Sequence, residues 1–134
     1  MTPAAVLDTH ALIWIGEGQR RLGRAARRLV ARVDAGLARL VVPTVAIVEV
    51  SEGLWRGRIK IEAGFNAWLD ELIAANDRYE IVDLNVAIVR RASELFAIPE
   101  RGDRLIAATA RELDLPLITR DPAIAKVAGV DVLW

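Results

Sequence analysis

Short apolar runs alternate with longer periodic segments along the chain. Runs at residues 4–7, 40–42, 80–82, 116–118 and 130–133 have the length of buried strands. The HALIWIG segment after the first run reads as a helix broken at Gly16 and Gly18. A second helix is predicted over residues 23–35, with Leu22, Ala26, Leu29, Val33 and Leu37 on one side and Gly36 as its stop. Pro43-Thr44 turns the next strand into a helix reaching residue 55. The most regular pattern follows, with Phe65, Trp68, Leu69, Leu72 and Ile73 at i, i+3, i+4, i+7 and i+8. Further helices are predicted at 85–96, at 104–113 with Ile106, Ala110 and Leu113 as a buried stripe, and at 122–127. This strand–helix alternation gives one α/β domain over residues 1–134, with a mainly parallel central sheet and helices on both faces. No repeat, low-complexity tract or linker divides it.

Composition limits the function classes. With 134 residues and 54% hydrophobic content, the chain suits one compact domain with a sizeable core. Charges interrupt every apolar stretch well before the roughly 18 residues that a membrane span needs. The opening MTPAAVLD has no basic segment before its apolar run, so no secretory signal is expected there. Cysteine is absent, which leaves no disulfides or thiolate metal sites and makes the cytoplasm the default location. Formal net charge is zero, but the charge is unevenly placed. Lys60 and Lys126 are the only lysines, and Arg20, Arg21, Arg24, Arg27, Arg28 and Arg32 crowd one segment. Guanidinium forks suit phosphate or carboxylate partners, and a solvated helix face is the competing explanation.

The predicted topology singles out particular acids. In open α/β sheets, ligands bind beyond the carboxyl ends of the strands. Asp8 ends the first strand, Asp121 follows a later one, and Asp103 stands at the start of a helix leading back to the sheet. Glu49 lies within TVAIVEVSEGLW, where valine and isoleucine make an unpaired carboxylate costly. Capping explains each aspartate separately, because all three precede predicted helices. It does not explain why all four acids fall where one site would form. Gathered carboxylates repel one another, and a divalent cation is the usual remedy. Oxygen-only ligands favour Mg²⁺ or Mn²⁺ over zinc.

VLDTHALIW, the helix carrying Glu49, GDRLIAATA and LITRD together resemble the four acidic motifs of PIN-domain ribonucleases, most closely the VapC-type toxins of bacterial toxin–antitoxin pairs. The resemblance spans essentially the whole chain in order. It implies an acidic site of Asp8, Glu49, Asp103 and Asp121, with Thr119 contributing a hydroxyl. It further implies Mg²⁺ (or Mn²⁺) bound by the four acids, an RNA substrate hydrolysed at its phosphodiester bonds, a cognate VapB-type antitoxin, a homodimer, and no membrane association. The chain departs from the pattern at Glu100, where an aspartate is common, and at Ile47, where Ser or Thr is common two residues before the glutamate, so Glu52 competes with Glu49.

Other residues invite weaker readings. Arg104 and Arg120 adjoin acids, as RNA or antitoxin contacts or as partners in ion pairs. His10, the only histidine, has no nucleophile motif beside it and reads as structural. Trp14, Trp55, Trp68 and Trp134 read as core or interface anchors, with Trp14 and Trp55 the candidates for antitoxin or dimer contacts. A phosphoacceptor receiver domain would need a lysine after the last strand, and neither Lys60 nor Lys126 is so placed. A DxDxT phosphatase is excluded because Asp8 is followed by Thr-His-Ala. A PIN-like module that binds RNA or protein without cutting is the remaining alternative.

Overall fold

Parallel strands covered on both faces have to be apolar at every position, because neither face meets water. The computed structural model, which describes residues 2–127 and 129–134, carries three such strands. They are β1 (Ala5–Leu7), β2 (Leu40–Pro43) and β4 (Leu117–Ile118), buried throughout. β3 (Tyr79–Val82) and β5 (Val132–Leu133) form the two edges and are only half covered. The sheet order is β3-β2-β1-β4-β5, and every pairing is parallel. The chain therefore builds outward from β1 to β3, then returns to the other side of β1 for β4 and β5. That reversal creates a crevice between the carboxyl ends of β1 and β4, where Leu7 pairs with Ile118.

The helices are α1 (Thr9–Glu17), α2 (Arg24–Asp34), α3 (Thr44–Trp55), α4 (Phe65–Ala74), α5 (Val86–Ala92), α6 (Arg101–Leu113) and α7 (Pro122–Ala125), with a 3-10 turn at Gln19–Arg21. α6 is the central one. It packs against β1, α3 and α5, and Ala107, Ala108 and Ala110 are wholly buried. Small side chains let its backbone lie close to the sheet. Asp114 ends it in the left-handed conformation at φ 53°, which aspartate tolerates better than most side chains.

Several sequence expectations shift. α6 begins at Arg101 with Glu100 as its N-cap, so Asp103 sits inside the first turn and does not cap the helix. Pro99 keeps the helix from reaching back to Ile98, because the residue before a proline is driven from helical geometry. α1 runs through Gly16 and stops only at Gly18. Leu37 follows Gly36, whose φ of +75° turns the chain away from α2, and is 61% exposed. α4 shows Leu72 alone fully buried and Ile73 53% exposed, because it packs on edge strand β3 with sheet on one side only. Leu113, at the end of the α6 stripe, is exposed. α5 closes at Ala92, short of the predicted residue 96, and the chain continues in turns to α6. No described helix is long and apolar enough to cross a membrane.

Candidate active site

The crevice beside β1 and β4 opens into a cleft of about 540 Å³ whose wall includes Asp8, Glu49, Asp103, Thr119 and Asp121. Each acid arrives from a different element. Asp8 follows β1 directly and caps α1, accepting a 2.8 Å hydrogen bond from the Ala11 amide. Burial pushes its carboxyl pKa up, and the Thr119 hydroxyl beside it, the Ala11 amide and His10 pull it back. Asp121 likewise caps α7, accepting from the Ala123 amide at 2.9 Å. Thr119 is fully buried, and its hydroxyl accepts from the Asp121 amide at 3.2 Å. One threonine hydroxyl therefore adjoins both aspartates that follow the central strands, a place suited to a group that both donates and accepts.

Glu49 faces the cleft from α3. Its carboxylate accepts a 2.6 Å hydrogen bond from the Thr9 hydroxyl and lies against Gly102 at the start of α6. A side chain at Gly102 would collide with that carboxylate. Glu52 also borders the cleft, but it is Glu49 whose charge bears on Asp103. The Asp103 pKa is raised to about 6, first by burial and then by Glu49, Glu100, Asp121 and Asp8. All four sequence-predicted acids therefore meet electrostatically at one carboxyl group.

No lysine or arginine forms an ion pair with any of the four acids among the described residues. Arg104 is engaged elsewhere: it donates to the carbonyls of Ile98 and Pro99 at 3.0 and 2.9 Å and lies 4.4 Å from the Phe96 ring centre. It clamps the loop before α6. Arg120 lies over the Trp14 ring at 4.9 Å. Neither makes the ion pair that its acidic neighbour suggested. His10 is exposed and packs its ring near Trp14 at 5.4 Å. Trp14 is buried, whereas Trp55 is 85% exposed.

No three of the described acids and His10 stand close enough together to form a ready-made ion cage. The donor chemistry nevertheless suits a hard divalent cation: the oxygens are carboxylate and hydroxyl, the carboxylates repel one another, and none is ion-paired to a lysine or arginine among the described residues. Sequence reading did not single out Thr9 or Gly102. A glycine inside a helix would have signalled a close approach, but Gly102 lies before the helix predicted from residue 104 and carried none. Thr9 carries no such signal, since its partner lies forty positions away.

The sequence matches the PIN domain model over residues 5–130, and the chain belongs to the PIN domain family. Solved structures of similar fold include toxin–antitoxin complexes. VapBC2 from Rickettsia felis, bound to a DNA fragment from its promoter, superposes with a TM-score of 0.71 at 16% identity, covering 96% of each chain. DNA-bound VapBC from Salmonella typhimurium gives 0.69 at 16% identity, over 98% of this chain and 97% of that one. A toxin–antitoxin complex from Klebsiella pneumoniae gives 0.62 at 22% identity, covering 95% of each. At these identities the likeness is one of fold. No curated protein matches the sequence.

Proposed function

We propose that residues 1–134 form a single PIN domain acting as a VapC-type toxin, a Mg²⁺-dependent endoribonuclease. The observation that carries this reading is the convergence of four acidic charges on Asp103 in the crevice where the sheet reverses direction, with no lysine or arginine ion-paired to the site's acids among the described residues. Asp8 and Asp103 are the direct ligands for Mg²⁺ (or Mn²⁺), and Glu49 and Asp121 complete the set as ligands or water-positioning groups. The metal supplies a water of lowered pKa and offsets charge on the phosphate oxygens. The chain's own residues do the rest. Thr9 holds the Glu49 carboxylate in one orientation, and Thr119 fixes Asp8 against Asp121. Gly102 leaves the room that Glu49 needs. The partners proposed with this activity are an RNA substrate, a VapB-type antitoxin and a second copy of the chain, all in the cytoplasm. The toxin–antitoxin complexes of similar fold support the antitoxin.

Incubating the wild type and Asp103→Asn with a pool of cellular RNAs, with Mg²⁺ or with EDTA, tests the reading. Cleavage by the wild type alone, abolished by EDTA, is expected. Equal cleavage by both proteins would remove Asp103 from the chemistry. Cleavage by neither, with RNA still bound, would favour a PIN-like module that binds without cutting.

A further inference from the structure

Next to the acidic cleft lies a second one of about 630 Å³, and Trp14, His10 and Arg58 border both. Its charge is opposite. Arg20 and Arg21, from the 3-10 turn after α1, and Arg58 and Lys60, from the loop after α3, face it against the acid Glu17. Arg21 packs over the Trp14 ring at 5.8 Å. The side chains of Arg20, Arg58 and Lys60 are exposed and make no hydrogen bond or ion pair among the described residues. Two segments far apart in sequence thus place unneutralised cations around one hollow. The carboxylates of the acidic cleft repel phosphate and outnumber Arg56, Arg58 and Arg120, the arginines that also line it. Affinity for a nucleic acid has to come from groups remote from the point of scission.

We infer that this basic cleft binds the backbone phosphates of a single-stranded nucleic acid adjoining the phosphate held at the acidic site, an assignment that takes its direction from the nuclease reading above. Contiguity argues for it, since a chain running through one cleft passes directly into the other. So does the chemistry: guanidinium forks and an ammonium group fit phosphate oxygens, and the buried Trp14 forms a wall between the clefts with little ring face open to stack a base. Recognition is therefore of the backbone, and tolerant of base sequence. An acidic peptide also suits the cations, and a nucleic acid is preferred because the reaction proposed at the adjoining acidic site acts on a phosphodiester.

The test measures binding of a fluorescently labelled, mixed-sequence single-stranded RNA across a range of salt, with Asp103→Asn as the parent so that the probe stays intact. Adding Arg58→Gln with Lys60→Gln is expected to weaken binding roughly tenfold and to lower the log–log salt slope by about 0.7 for each phosphate left without its cation. Adding Arg27→Gln with Arg28→Gln removes the same charge from the exposed face of α2, which borders neither cleft, and should leave affinity near that of the parent. Equal losses from both pairs, no loss from either, or no binding by the parent would overturn the assignment. So would uptake of a polyglutamate peptide that depends on Arg58 and Lys60 when RNA binding does not. The two readings fail separately. A wild type that does not cleave, with RNA binding still lost on changing Arg58 and Lys60, defeats only the nuclease reading. A cleaving wild type with RNA binding indifferent to those changes defeats only this one.

Discussion

Gly102 sits in the first turn of α6, where alanine would ordinarily be the better helix former by about 1 kcal/mol. Its value lies in what it leaves open, since an added methyl group would meet the Glu49 carboxylate. The obstructing atoms end a flexible side chain, so Gly102→Ala should move Glu49 without unfolding the helix. Expected are an unchanged or slightly raised melting temperature and a cleavage rate reduced on the order of 100-fold. Parallel thermal melts and RNA cleavage assays check both. Asp103 gives a second residue-scale prediction. Its raised pKa means that the folded protein keeps a proton which the unfolded chain releases at its ordinary value of 3.8. Metal-free stability should therefore fall as pH rises from about 4 to about 6, and level off above. Asp103→Asn removes that penalty. In EDTA it should match the wild type near pH 4 and exceed it above pH 6 by about 1 kcal/mol, allowing for solvent screening of a partly exposed group. Denaturant melts at the two pH values decide it, and a constant difference would refute the coupling.

At the level of elements, Asp8 combines two roles that substitution can separate. It caps α1 and adjoins Thr119 in the cleft. Asparagine retains the cap and loses the charge, whereas alanine loses both. Asp8→Asn should thus abolish cleavage with little change in stability, and Asp8→Ala should cost a further 1 kcal/mol or so, as equilibrium unfolding of the two variants would show. Elements were also where the sequence was most readable. Among the described residues, the five strands and seven α-helices, and the acids beyond the ends of β1 and β4, follow from apolar runs and punctuation by glycine and proline. What periodicity could not supply was depth of burial: α4 presents a regular apolar face, yet only Leu72 is fully covered because β3 is an edge. Contacts across long separations were equally illegible. Thr9 with Glu49, and Glu49 with Gly102, depend on α1, α3 and α6 meeting at one point, which no local pattern encodes.

For the molecule as a whole, the crowded acids store repulsion that a bound cation would relieve. Mg²⁺ at about 100 times its dissociation constant should stabilise the fold by about 2.7 kcal/mol. Asp8→Asn combined with Asp103→Asn should cancel the gain. Thermal melts with and without Mg²⁺ read this directly, without reference to any substrate. The position of β1 in the middle of the sheet has another consequence, which concerns time. Val6 pairs on one side with Val41 and on the other with Leu117. A nascent chain can assemble β1, β2 and β3 early, yet Asp8 must wait for residues 117–121 before β4 slots in and brings Thr119 and Asp121 beside it. Pairings so distant along the chain form late and slowly. On the nuclease reading proposed above, activity cannot appear until residue 121 has been made and β4 has docked, because the earliest-made acid is among the last to find its neighbours.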